Sequence, residues 1–160
     1  MIETINPKGM TQEKKLDSAL MFVKAQLKNE SDVLANLANI SAILQMYLED
    51  INWVGFYLLK EDTLILGPFQ GKPACNRIAM GEGVCGTAAK EGKTQLVDDV
   101  LNLDNHIACD AASRSELVVP IYAKGTLFGV LDIDSPSLAR FTALEQVYME
   151  KVVKMLEASL

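Results

Sequence analysis

The 160-residue chain has one histidine and three cysteines. No stretch of it approaches the roughly 18 consecutive apolar residues that a membrane span needs. A spanning protein is therefore not expected. The opening MIETINPKGMTQEKK lacks the apolar core and the small-residue cleavage site of a secretory signal, so the cytoplasm is the expected compartment. Thiols are kept reduced there, and an odd count of three argues against a closed set of structural disulfides, so any disulfide should be transient. Positive charge is also scarce: 15 Lys and Arg stand against 21 Asp and Glu, for a net charge of −6 that repels phosphate backbones and anionic lipid. Neither nucleic acid nor membrane is expected as a partner. Internal repeats and low-complexity segments are absent as well.

What is present is a globular balance, with 49% apolar and 22% charged residues over a length that suits one domain and one core. From Thr11 to Lys28, apolar residues recur at Leu16, Ala19, Leu20, Val23 and Leu27, the period of an amphipathic helix. A second helix is predicted from NESDVLANL, capped by Ser31 or Asp32 and burying Val33, Leu34, Leu37, Ile40, Leu44, Tyr47 and Leu48. The pattern then changes. NWVGFYLLK and DTLILGPFQGKPA, split by KED, read as a hairpin of β-branched and aromatic strands. NRIAM reads as a short third strand, and GEGVCGTAAKEGK as a turn opening a brief helix that ends near Gly92. TQLVDDV is another short strand, and LNLDNHIACDAAS is irregular with one helical turn. In ELVVPIYAKGTLFGVLDID two apolar strands flank a turn with glycine where a positive φ is needed, which predicts a central hairpin. The helical period returns through Leu144, Val147, Met149, Val152, Val153 and Leu156, with Thr142 and Glu145 as a capping box. The order predicts an α+β fold, a central antiparallel sheet of about six strands with the N- and C-terminal helices packed on one face. Residues 1–160 form one domain in this reading, with 1–10 a flexible N-terminus.

Three readings of the cysteines stand side by side. Buried cysteine is a common small apolar residue, although Cys75, in GKPACNRIAM, sits among loop-forming Gly, Lys, Pro and Asn. Zinc would use Cys75, Cys85, His106 and Cys109, but structural zinc favours closely paired ligands, and only His106 and Cys109 are so spaced; no metal is expected. The third reading is redox or nucleophilic chemistry, in which a thiolate at Cys109 works beside carboxylates that manage protons. Glu116 opens the first strand of the central hairpin. Asp132 and Asp134 lie two apart on the second strand and so share a face, with Phe128 and Val130 and opposite Gly129, Leu131 and Ile133. Trp53 and Tyr57, four apart on a strand, also share a face. His106 is read as a structural or rim residue rather than a base, because the carboxylates already supply proton transfer.

INWVGFYLL, LGPFQGKPAC, GEGVCGTAA, NHIACDAASRSELVVPI and GVLDIDSP resemble, in order and spacing, the GAF-domain free methionine-(R)-sulfoxide reductases. The likeness runs from about Asn52 to Phe141 and also fits the flanking helices. It implies a GAF fold and a catalytic role for Cys109, with Cys75 as the main resolving cysteine and Cys85 as an alternative resolver. It further implies that Glu116, Asp132 and Asp134 hold the substrate ammonium and polarise the sulfoxide, with Glu116 and Asp134 counted among the catalytic set. Trp53 and Tyr57 would enclose the S-methyl group.

The resemblance implies a reductase of free L-methionine (R)-S-oxide that passes through a Cys109 sulfenic acid and a Cys75–Cys109 disulfide. It needs no metal or organic cofactor, only an external dithiol of the thioredoxin type, and the long flanking helices suit a homodimer. A turn such as MGEGVCG opening a helix can present backbone N–H groups to the substrate carboxylate. The alternative is a non-catalytic GAF module that senses a small molecule, a reading that carries the expectation of a fused output domain.

Overall fold

The computed structural model describes residues 6–104 and 109–160. Met10 N–H donates to the Pro7 carbonyl, a turn that leads into the first helix; residues 1–5 of the expected flexible start lie outside the described residues. The Thr11 hydroxyl accepts from the Lys14 N–H, and α1 runs Gln12–Asn29. Asp32, rather than Ser31, caps α2 (Val33–Tyr47) by accepting from the Ala35 N–H at 2.9 Å. Strands β1 (Trp53–Lys60) and β2 (Thr63–Gly71) form the first hairpin. There follow β3 (Arg77–Ala79), α3 (Gly83–Glu91), β4 (Gln95–Val97) and a single 3-10 turn at Val100–Asn102. The second hairpin is β5 (Ser115–Ala123) and β6 (Thr126–Ser135), turning through Lys124 and Gly125, both at positive φ. The expected Thr142–Glu145 capping box opens α4 (Ala143–Glu157).

The strands make one sheet in the order β3-β2-β1-β6-β5-β4, each neighbour antiparallel. Alternation sends Val54, Phe56, Leu117, Val119, Leu131 and Ile133 to one face, where they meet α1, α2 and α4. The other face carries Trp53, Tyr57, Val118 and Val130 and is covered by α3. The three long helices thus seal one side of the sheet and leave the other for chemistry.

Three expected core positions fall outside the core. Leu144 and Val147 are exposed because the inward stripe of α4 runs through Glu145, Tyr148, Met149, Val152, Val153 and Leu156, and neither belongs to that series. Leu34 is 65% exposed in the first turn of α2, where Asn36 and Leu37 face inward instead. Phe128 also differs from expectation. Ile121 pairs with Gly129 and Tyr122 with Leu127, so Phe128 is an extra residue on β6, and this bulge turns its ring to the helix side, away from Val130, Asp132 and Asp134.

Pairing with β4 runs from Glu116, opposite Val97, to Val118, opposite Gln95; Pro120 lies two residues past that end, so its missing N–H breaks no bond to β4. Two residues further, the Tyr122 N–H donates to the Glu157 carboxylate at 2.9 Å and fastens α4 to β5.

Candidate active site

Strand register assembles the acids. Glu116 on β5 lies opposite Asp134 on β6, and Asp134 lies opposite Trp53 on β1; the next row holds Val118, Asp132 and Gly55. Three carboxylates and an indole therefore occupy adjoining positions on the face away from the long helices. Trp53 stacks on Tyr57 with centroids 5.8 Å apart, and on Phe69 at 5.2 Å. Gly55 makes room for this: a Cβ there would lie 2.3 Å from Phe69 Cβ and 2.8 Å from Trp53 Cη2.

Cys75, in the loop between β2 and β3, is joined by a disulfide to Cys109, with Cα atoms 5.3 Å apart. The bridge sits at a pocket lined by Trp53, Tyr57, Cys85, Cys109, Glu116, Asp132 and Asp134, with Gly83 and Val84 from the first turn of α3. With the bridge closed, its free space is about 40 Å³, enough for a few waters and far too little for an amino acid. All eight residues singled out in the sequence thus converge here. His106 lies outside the described residues.

Sequence reading missed the residues that hold the Cys109 segment. Asn52 Nδ2 donates to Asp110 Oδ2 and to Ser113 Oγ, both at 3.1 Å, and Ser113 in turn bonds Asp134. Asp110 and Ser113 line the pocket. Nothing in the periodicity marks them, since Asn52 precedes a strand and the others lie in an irregular segment.

Burial controls the protonation of the cluster. Glu116 and Asp134 are pushed well above the ordinary carboxylate range, first by burial and then by the charge of Asp132. Burial lifts Asp132 to about 6, and hydrogen bonds from Cys85 and Glu116 limit the rise. Asp132 Oδ1 is buried and has no hydrogen-bond partner among the described residues. Cys85, 3% exposed, directs its thiol at Glu116 Oε1 across 3.8 Å, and burial and the neighbouring acids push it up, so it stays protonated. Asp110 behaves oppositely: the Ala112 N–H and the Asn52 amide hold it below its usual value. The site therefore combines carboxyl groups able to give protons near neutrality with acceptors for a cation.

The zinc set weighed from the sequence fails in this state, because the sulfurs of Cys75 and Cys109 are bonded to each other. A different trio among the described residues, Cys85 Sγ with one oxygen each of Glu116 and Asp132, lies within 4.8 Å, a spacing at which a small cation could be held.

The family model described as GAF domain matches residues 32–160. The chain is 53% identical over 133 residues to the free methionine-R-sulfoxide reductase of Escherichia coli, covering 83% of its own length and 81% of the relative's. The chain belongs to the GAF-domain free methionine-R-sulfoxide reductases. Against the enzyme of that name from Saccharomyces cerevisiae it is 40% identical over 159 residues, 94% of this chain and 88% of the other. The structure of the free methionine-R-sulfoxide reductase from Neisseria meningitidis in complex with its substrate matches at a TM-score of 0.93 and 39% identity, over 99% of this chain and 95% of that one. The GAF fold expected from the motifs is the fold observed, and the brief helix expected in GEGVCGTAAKEGK is α3, on the sheet face away from the long helices.

Proposed function

We propose that this chain reduces free L-methionine (R)-S-oxide to methionine, with Cys109 as nucleophile and Cys75 as resolving thiol. The observation that carries the reading is the Cys75–Cys109 disulfide set at a pocket of buried acids and stacked aromatics. The names of the relatives from Escherichia coli and Saccharomyces cerevisiae support the same substrate.

A sulfoxide sulfur becomes electrophilic as its oxygen gains a proton, and a carboxyl that keeps its proton near neutrality supplies it. Glu116 and Asp134, both raised by burial, suit that role. Cys109 sulfur then takes the oxygen: the substrate is reduced to a thioether and Cys109 is oxidised to a sulfenic acid, with no outside electrons. Cys75 displaces that hydroxyl as water and forms the disulfide, which an external dithiol of the thioredoxin type reopens by exchange. Free methionine differs from a peptide residue by its charged ends. The unpartnered Asp132 Oδ1 is an acceptor for the ammonium, and the first turn of α3 faces the pocket with N–H groups suited to the carboxylate. Trp53 and Tyr57 form the wall for the methyl group. Cys85, buried and protonated beside Glu116, is the alternative resolver. In this reading residues 1–160 act as a single domain, need no metal or organic cofactor, work in the cytoplasm and pair as a homodimer.

The test is turnover of free and peptide-bound methionine sulfoxide epimers with dithiothreitol as reductant. Turnover of the free R epimer alone is expected. No turnover of any epimer would refute the reading and favour a small-molecule sensor.

A further inference from the structure

We propose that the stacked pair Trp53 and Tyr57 is also the dock for the resolving loop, with the Tyr57 hydroxyl as the positioning group that brings Cys75 to Cys109. The inference rests on the reductase reading above and assigns these residues a task separate from contact with the substrate. Tyr57 Oη donates to the main-chain carbonyl of Cys75 at 2.9 Å, and Trp53 Nε1 donates to the carbonyl of Lys72 at 3.2 Å. The two donors grip both ends of the Lys72–Cys75 segment. Gly71 sets how that segment leaves β2: it sits at φ +136, and a Cβ there would lie 2.6 Å from Trp53 Cδ1 and 2.8 Å from the Asn52 carbonyl. The loop is pressed onto the indole at its root and tied to the phenol at its tip.

Tyr57 is 1% exposed and burial pushes its phenol up, so the hydroxyl keeps its proton and remains a donor at neutral pH. A buried donor left without an acceptor is costly, and in the disulfide state its acceptor is the Cys75 carbonyl. Lifting the loop removes that partner, and closing the loop restores it. The docking therefore acts on the resolving step. There, Cys75 sulfur attacks Cys109 sulfur, the S–O bond of the sulfenic acid breaks as the S–S bond forms, and the hydroxyl leaves with the Cys75 proton as water. The step needs no outside oxidant, and its rate depends on how often Cys75 is presented in reach. With the loop seated and the disulfide closed, the pocket has about 40 Å³ free.

The experiment mixes pre-reduced protein with one equivalent of free methionine (R)-sulfoxide in a rapid-quench apparatus and follows methionine release and Cys75–Cys109 disulfide formation separately. Tyr57→Phe keeps the ring and deletes the donor. Disulfide formation should slow about tenfold relative to methionine release, the scale of one lost hydrogen bond. The sulfenic acid on Cys109 should then accumulate and be trapped by a dimedone-type reagent. Gly71→Ala, which touches none of the acids, should shift the ratio in the same direction by displacing the root of the loop. A wild-type ratio of the two rates in both variants overturns the proposal. If wild-type protein releases no methionine at all, the reductase reading fails and takes the proposal with it.

Discussion

Asp132→Asn should stabilise the protein at neutral pH and leave it almost unchanged at pH 4. In the folded chain the Asp132 carboxyl is raised from 3.8 to about 6, mainly by burial. Between those values the folded state binds more protons than the unfolded chain, so stability falls as pH rises. The fall begins near pH 4, where the unfolded group loses its proton, and is complete just above pH 6, where the folded group has lost its own. A rise of about two units at about 1.4 kcal/mol each corresponds to a loss of about 3 kcal/mol above pH 7. Asparagine has nearly the same shape and cannot ionise, so the gain on substitution should grow from under about 1 kcal/mol at pH 4 to about 3 kcal/mol at pH 7.5. Urea unfolding of the disulfide forms, followed by the fluorescence of the single tryptophan, Trp53, measures the difference across that range. A difference that does not change with pH, or a variant less stable than the parent at pH 7.5, would refute the reasoning.

Cys109→Ser should abolish even a single turnover, because a hydroxyl is a far weaker nucleophile than a thiolate; Cys75→Ser should still release one equivalent of methionine, as quenched samples analysed for methionine would show. Asp134→Asn and Glu116→Gln should each lower kcat/KM by about a hundredfold, the usual scale for a lost proton-transfer group, and near-parental kinetics in both would remove them from the chemistry. Trp53→Ala should weaken substrate binding by about 1–3 kcal/mol, the worth of one lost pocket contact, read as a rise in KM at retained folding by circular dichroism.

The sequence marked the elements well where local chemistry decides them. The Thr142–Glu145 box and the turn at Lys124 and Gly125 are set by neighbouring residues, and both appear as expected. The two-residue spacing of Asp132 and Asp134 likewise placed both on one face. What periodicity could not give was register. That Glu116 lies opposite Asp134, and Asp134 opposite Trp53, depends on how three strands far apart in the chain align. The bulge at Phe128 is a tertiary adjustment that no alternation pattern contains. The same limit hid Asn52, whose amide reaches residues 58 and 61 positions away. The grouping of the cysteines came from the likeness to a family, and spacing alone left three readings open.

Pro120 and Glu157 have a consequence for how copies of this protein meet one another. An uncovered strand is a template on which another chain can add, and β4 covers only the first part of β5. Stepping by two from Val118 along that side of β5, the next residue has no N–H to offer and the one after gives its N–H to Glu157. The part of β5 that β4 leaves unpaired thus presents no ready donor. Pro120 is itself buried, so a foreign strand finds neither access nor a free donor there. Glu157→Ala, which frees one of those donors, should make the protein more prone to associate through its sheet.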